Sequence, residues 1–301
     1  MARMVGQRLR ARGPQPVALT IAGSDSGGNA GIQADLRAFH GFGVHGCTAI
    51  AALTAQNPAG VQGVLAVDPA FLVRQLDSVF AAYDVRSIKT GMLQNAGLIE
   101  AVARVLRRHP KIPLVVDPVM VATSGARLLE DAAVAALIRR LLPLATLITP
   151  NLPEAEVLLG RPVAGVGAAG QAARELAAHF HCAVLVKGGH DAAHQASDAL
   201  CVGHKLFCLR TPVVRHPLSL HGTGCTLSAA ITASLATGRS LTEAVVEGKA
   251  FVYDAIRHGR TVGPKASVLG MVKCGETKCV KVTRVSEQRT VIEGLRHVDD
   301  G

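Results

Sequence analysis

Val17-Ala-Leu-Thr-Ile-Ala-Gly-Ser-Asp-Ser-Gly-Gly-Asn-Ala-Gly31, continued by Ile32-Gln-Ala-Asp-Leu-Arg-Ala-Phe39, places an apolar run, a glycine-rich turn and an amphipathic stretch in direct succession. Val17–Ala22 has the near-continuous hydrophobicity of a strand buried on both faces. From Ala30 onward, Ile32, Leu36 and Phe39 fall on one side of a helix. The same alternation runs down the chain. Ser87–Lys89, Leu114–Asp117, Leu144–Thr149 and Ala183–Lys187 read as further buried strands. Phe71–Ala82, Ala96–Arg108, Asp131–Leu142 and Gln171–Phe180 read as amphipathic helices. Strands alternating with helices on this scale predict an α/β fold with a mostly parallel central sheet and helices on both faces.

No repeat, low-complexity block or linker interrupts residues 17–259, so the body reads as one domain. Residues 1–16 read as a basic extension outside the fold. Past Val262 the periodicity decays, and the domain is expected to close at Pro264. Residues 265–301 are then a C-terminal tail, either a final strand pair or a loose end.

Of the 301 residues, 49% are hydrophobic and 18% charged, enough to bury a core and too apolar for a disordered chain. The formal net charge is +10, a balance that suggests nucleic acid. Its distribution argues otherwise. Residues 1–16 carry four Arg and no acid, and residues 255–301 carry nine basic residues against five acids. The body between them has 19 basic and 17 acidic residues and is close to neutral. Aromatic residues are only 3%, with no Trp, so platforms for stacking bases are scarce. No apolar stretch approaches the roughly 18 residues of a membrane span, and Val17–Ala22 is too short for a signal-peptide core. The 7 Cys are scattered at spacings that fit no zinc pattern, as expected of reduced thiols in the cytoplasm.

In sheets of this kind ligands bind beyond the carboxyl ends of the strands. Four segments there carry chemistry. The first is Gly23–Gly31, open to a flexible turn or to close approach of a ligand. In the helix after it, Asp35 points to the apolar face, where it serves either a cap or ion pair or a polar ligand. The second, Thr54-Ala-Gln56-Asn-Pro58, is ordinary turn chemistry, although the Gln56 amide suits the edge of a heterocycle. The third is Thr149-Pro-Asn151-Leu-Pro-Glu154. Asn151 and Glu154 are spaced for a helix cap and also for a hydrated Mg²⁺ beside phosphates. The fourth, His221-Gly222-Thr223-Gly224-Cys225-Thr226, runs into a helix of small residues and aims consecutive amides at an anion. It lacks the ending of a Walker A loop and the strand-plus-acid context of a dinucleotide fingerprint. Cys225 at the helix start is expected to have a lowered pKa and to act as base or nucleophile. Lys187, followed by two glycines, reads as a phosphate ligand or as a strand-end surface lysine.

Together AGSDSGGNAGIQADL, TAQNPAGVQGV, IKTGML, VVDPVM, LITPNLPEAEVLLG, VLVKGGH and HGTGCTLSAAI resemble the ribokinase-like superfamily, within it the hydroxymethylpyrimidine/phosphomethylpyrimidine kinases of thiamine biosynthesis. The strings occur in order from Val17 to about Asp254. The resemblance implies a three-layer α/β/α domain that uses ATP and Mg²⁺ to phosphorylate 4-amino-5-hydroxymethyl-2-methylpyrimidine to its monophosphate and then its diphosphate. Carried over by position, it implies Gly23, Asp35, Gln56, Met92 and Val119 at the pyrimidine. It implies Asp117, Asn151, Glu154 and Lys187 around the nucleotide phosphates, with Asp117 and Glu154 reaching Mg²⁺ through water or phosphate. Gly222, Thr223, Gly224 and Cys225 match the anion hole and the catalytic position, where sugar kinases of the superfamily carry Asp. A cytoplasmic homodimer acting on small molecules, without nucleic-acid or membrane partners, is implied as well. Pyridoxal kinase shares the fold and the Gly-Thr-Gly-Cys loop, so pyridoxal phosphorylation is the alternative activity. A silent pyrimidine-binding protein is the non-enzymatic one, disfavoured by intact Asp117, Glu154, Lys187 and Cys225.

Overall fold

The computed structural model describes residues 13–120, 129–165, 167–190, 195–214, 221–263, 266–275 and 279–285. Most of the basic extension (1–12), Pro264, and 286–301 of the C-terminal segment lie outside these residues.

Twelve strands and eight α-helices are formed among them. The strands are β1 (Val17–Asp25), β2 (His45–Asn57), β3 (Gly60–Ala66), β4 (Val85–Thr90), β5 (Leu114–Val116) and β6 (Leu147–Ile148). They continue with β7 (Ala183–His190), β8 (Gln195–Val202), β9 (Lys205–Pro212), β10 (Arg260–Gly263), β11 (Ala266–Val268) and β12 (Lys281–Val285). The helices are α1 (Gly31–Gly41), α2 (Pro69–Ala82), α3 (Ala96–Leu106), α4 (Asp131–Ala136), α5 (Leu152–Leu159), α6 (Ala168–Phe180), α7 (Thr223–Ala236) and α8 (Leu241–Arg257).

One ten-stranded sheet runs in the order β12-β9-β8-β7-β6-β5-β4-β1-β2-β3. Its centre, from β2 through β1, β4, β5 and β6 to β7, is parallel. The strands on either side of that block are antiparallel. One face is covered by α2, α3, α4, α5 and α6 through a core that includes Leu72, Leu98, Ala155 and Leu176. The other is covered by α1, α7 and α8. This is the three-layer architecture expected from the alternation.

Local sequence explains the boundaries. Asp68 and Asn95 cap α2 and α3 through their side chains. Reciprocal capping boxes open α5 (Asn151 with Glu154) and α8 (Ser240 with Glu243). The expected helix Asp131–Leu142 is shorter than its periodicity. It opens into a π turn at Leu137–Leu141 and a 3₁₀ turn at Leu142–Leu144, because Pro143 has no N–H to continue the ladder. The expected strand Leu144–Thr149 is accordingly cut to Leu147–Ile148.

The described residues beyond 264 are not separate from the fold. β12 pairs antiparallel with β9 at the sheet edge, and β11 closes a two-stranded ribbon with β10. An end to the domain at 264 therefore divides the sheet.

β1 sets the position of the site. It has β2 on one side and β4 on the other, with the chain running outward in both directions. That is the topological switch point, where the crevice opens at the carboxyl ends. A register shift falls between Ala22 and Gly23, where β1 enters the wall of that crevice.

Candidate active site

A cavity of about 380 Å³ occupies that crevice. Its walls come from the ends of β1, β4, β5 and β7, the β2–β3 hairpin, and the start of α7. Every residue singled out from the sequence lines it except Asp35.

The glycine-rich loop after β1 is a built turn, not a flexible one. Asp25 Oδ1 accepts from the Gly27 amide at 2.8 Å, and its Oδ2 accepts from the amides of Asn29 and Ala30 at 2.9 and 2.8 Å. Arg37 donates to the Gly28 carbonyl at 2.6 Å. Ser26 then ties this loop to the β2–β3 hairpin. Its hydroxyl donates to the Gln56 carbonyl at 2.9 Å and accepts from the Gln56 amide at 2.8 Å. Gln56 is thus fixed through its backbone at the rim, with its side chain in the cavity wall.

The loop also meets the start of α7. Gly222 caps that helix with φ 84°, and a Cβ there would overlap the Asn29 carbonyl oxygen. Only glycine satisfies both conditions. The first-turn amides of α7, which helix geometry leaves without intrahelical acceptors, begin at the cavity. Ten of the fourteen residues of α7 are buried, almost all small. Ser87 of β4 donates to the Thr232 carbonyl at 2.7 Å, so the helix is seated directly on the sheet.

Beyond β5, β6 and β7 the cavity is charged. Lys187 Nζ lies 2.9 Å from Asp117 Oδ1 and 4.0 Å from Glu154 Oε2. The Asp117 carboxylate also accepts from Thr149 and Ser228, each at 3.2 Å. Burial raises the Asp117 carboxyl, but Lys187 and then Lys89 outweigh it and hold the group below its ordinary value. Lys187 is lowered by burial and raised by Asp117 and Glu154, with a net rise. Burial lifts Glu154 to about 7, against the pull of Lys187 and with a further push from Asp117. Asn151 and Glu154 close the α5 capping box at 2.8 Å in both directions, so the cap reading and the site reading apply to the same residues. A Cβ on Gly224 would stand 3.4 Å from Lys187 Nζ, which places the helix start against this cluster.

Asp35 does not reach the cavity. It is fully buried beneath it, with Lys89 Nζ at 2.7 and 2.8 Å from its two oxygens and Thr20 Oγ1 at 2.6 Å. The ion-pair alternative is the one realised, because a carboxylate on the apolar face of α1 needs a buried cation more than a distant ligand. Lys89, at the end of β4, lines the cavity in its place. Burial, the largest single influence, lowers its ammonium, and Asp35, then Cys225 and Asp117, together raise it by more. Sequence reasoning passed over Lys89 although the signal was present: a charged residue inside a strand buried on both faces.

Cys225 corrects a second expectation. Its pKa is raised, not lowered. Burial is the largest cause; Lys89 opposes it, Asp35 and Asp117 add to it, and the Gly31 amide beside the sulfur pulls the other way. The helix end does not overcome a dry site with two carboxylates nearby. On the remaining wall, Met92 packs its methyl against Gly23, where a Cβ would sit 2.8 Å from Met92 Cε. Val119 follows Asp117 on the same side.

A family model for phosphomethylpyrimidine kinase matches residues 25–270. A hydroxymethylpyrimidine/phosphomethylpyrimidine kinase of Rhizobium meliloti is 51% identical over 243 residues, 80% of this chain and 90% of the relative. Among solved structures, a pyridoxal kinase from Staphylococcus aureus in complex with ADP superposes with a TM-score of 0.81 at 32% identity, over 91% of this chain and all of that one. A phosphomethylpyrimidine kinase from Clostridium difficile superposes with a TM-score of 0.71 at 38% identity, over 80% of this chain and all of that one.

Proposed function

The chain belongs to the phosphomethylpyrimidine kinase family, and on that premise we propose that it transfers phosphate from ATP to 4-amino-5-hydroxymethyl-2-methylpyrimidine and then to the resulting monophosphate. The observation that carries this reading is the composition of one cavity. One part of its lining is Gly23, Gln56, Met92 and Val119, suited to a small amide-reading heterocycle. Another is Asp117, Asn151, Glu154 and Lys187, suited to a polyphosphate. The amides of Gly222–Cys225 begin at the same cavity, with Gly224 next to Lys187.

Phosphoryl transfer asks for in-line placement and charge neutralisation more than for covalent help. Fixed amides at the start of α7 meet the migrating phosphoryl oxygens, and Lys187 offsets their charge. The pyrimidine is held by Gln56 and the apolar side of Met92 and Val119, so its hydroxymethyl group faces the helix start. Cys225 takes the hydroxyl proton as the new P–O bond forms, and does so as the thiolate, its own thiol proton having first passed to solvent. Burial favours the protonated thiol, so this ionisation is uphill, and a dissociative transfer asks for the base only late.

Mg²⁺ fits this wall. Asp117 and Glu154 supply two hard oxygen donors on either side of Lys187. No cluster of three or more ligating side chains occurs among the described residues. That donor set suits an ion that keeps its water and shares nucleotide phosphates rather than a closed protein cage. Mg²⁺ there would neutralise phosphate charge. A cytoplasmic homodimer without nucleic-acid or membrane partners completes the proposal. No helix among the described residues is long and apolar enough to cross a membrane. Exposed Leu53 and Leu65, paired across the β2–β3 hairpin, offer an apolar contact for a second copy.

Pyridoxal is the second acceptor to test, because the pyridoxal kinase shares the fold along its whole length. The deciding experiment measures kcat/KM for the pyrimidine alcohol, its monophosphate and pyridoxal at one ATP concentration. The proposal expects the two pyrimidines to be preferred. Preference for pyridoxal by tenfold or more, or no ADP release with any of the three, removes it.

A further inference from the structure

Two lysines line the cavity among the described residues, Lys89 and Lys187. Lys187 is already matched by two carboxylates on the nucleotide side, at 2.9 and 4.0 Å. Lys89 is on the acceptor side, two residues before Gly91 and three before Met92, both of which also line the cavity. Its partner Asp35 does not line it. The pair is therefore oriented, with the ammonium toward the cavity and the carboxylate away from it. A Cβ on Gly91 would stand 3.1 Å from Lys89 Nζ. The bare glycine keeps the wall between the charge and the cavity thin.

Stability does not call for this arrangement, since a buried ion pair exchanged for apolar residues of similar volume is often neutral or stabilising. The two acceptors differ in the property that such a charge would sense. The pyrimidine alcohol is neutral. Its phosphate ester brings about −1.5 to −2 charges into a cavity that also receives a nucleotide polyphosphate. We propose that Lys89 selects for the second of the two transfers, its positive charge offsetting the ester phosphate on the acceptor side of the cavity. The inference rests on the functional reading above and extends it to a residue that the sequence motifs did not single out.

In that second transfer an oxygen of the ester phosphate attacks the γ-phosphorus of ATP. The bond from that phosphorus to the bridging oxygen breaks, and ADP leaves with the electron pair. The ester oxygen is already ionised, so no proton is removed. Charge, not base strength, is what this step lacks. Lys89 is fully covered, so it acts through its field across Gly91 and Cys225 rather than by a bond to the ester.

The test uses two variants, Lys89→Met and Lys89→Met with Asp35→Asn. The double variant leaves no buried charge unpaired and keeps the experiment informative where the single one folds poorly. Two ratios are read: kcat/KM for the alcohol against the monophosphate, and the Kd of each measured calorimetrically without ATP. The expected result is a loss for the monophosphate at least tenfold greater than for the alcohol, in both readouts and in both variants that fold. Equal losses, or ratios within threefold of wild type, overturn the role of Lys89. A wild-type protein inert on the alcohol overturns the functional reading itself, a distinct result.

Discussion

Replacing Gly222 by Ala isolates what the helix start contributes. Gly222 and Gly238 bracket α7 and both lie in the left-handed region, at φ 84° and 91°. An alanine at either costs about 1–2 kcal/mol in backbone strain. They differ in their surroundings. Nothing lies within 4 Å of a Cβ built on Gly238, whereas one on Gly222 would overlap the Asn29 carbonyl oxygen. The Cβ position is fixed by its own backbone and the group it meets is a main-chain carbonyl, so no side-chain rotation relieves the overlap. The glycine-rich loop is held by three hydrogen bonds to Asp25, leaving the start of α7 to move. A displacement of about 1 Å costs on the order of 10²-fold in rate, and loss of one fixed donor about 10²–10³-fold.

The assay is ADP release at saturating ATP and pyrimidine alcohol, with urea melts of the same preparations. Gly238→Ala is expected to lose about 1–2 kcal/mol of stability and to keep kcat within twofold. Gly222→Ala is expected to lose at least as much stability and about 100-fold in kcat. If the two variants turn over within threefold of each other, the amides at the start of α7 do not stabilise the transferring phosphoryl group.

Three further outcomes follow from the buried charges. Glu154 is raised from the ordinary 4.5 to about 7, so the folded state holds its proton more tightly than the unfolded chain. Stability from this group is full below pH about 4.5 and lost by about 7, an effect of about 3 kcal/mol that Glu154→Gln should flatten in melts across pH 4–8. An unchanged pH slope in that variant refutes the assignment. Asp35→Ala leaves a buried ammonium without its carboxylate and should cost about 3–5 kcal/mol, most of it recovered by Asp35→Leu with Lys89→Met. A single-variant cost under about 1 kcal/mol refutes the ion pair as a structural element. Cys225→Ala should lower kcat about 10²–10⁴-fold if the thiol takes the hydroxyl proton. A decrease of only a few-fold leaves the amides as the catalytic part and the sulfur as packing.

The layered fold was legible because its signals are local and repeated. Apolar runs such as Val17–Ala22 cannot face water on either side, and their amphipathic partners have one face to bury. The loops carrying the chemistry were legible for a related reason: the topology sends the strand ends to one place, so Asp117, Asn151 and Lys187 arrive together. Less legible was what depends on pairing at long range. β12 consists of exposed residues and has no periodicity of its own to announce it. It becomes a strand because β9 presents an open edge. Pro143 was visible, but its effect on the end of α4 depends on how the following chain enters β6.

Asp35 and Cys225 share one physical cause. Each was read from its own helix: Asp35 as a carboxylate seeking a ligand, Cys225 as a thiol beside a positive helix end. Both depend instead on a lysine 54 residues from Asp35 in sequence, brought beneath the cavity by the pairing of β1 with β4. Lys89 takes up the Asp35 charge and thereby removes that carboxylate from the pyrimidine. The same lysine is the main influence drawing the Cys225 thiol down, and burial outweighs it. The resulting site holds a protonated thiol and a compensated cation at rest. Neither is active until a ligand changes the local charge. For a cavity asked to accept a neutral alcohol first and its phosphate ester second, that poise follows from chemistry. The neutral alcohol does not sense the paired Lys89, and the charge of the ester phosphate does.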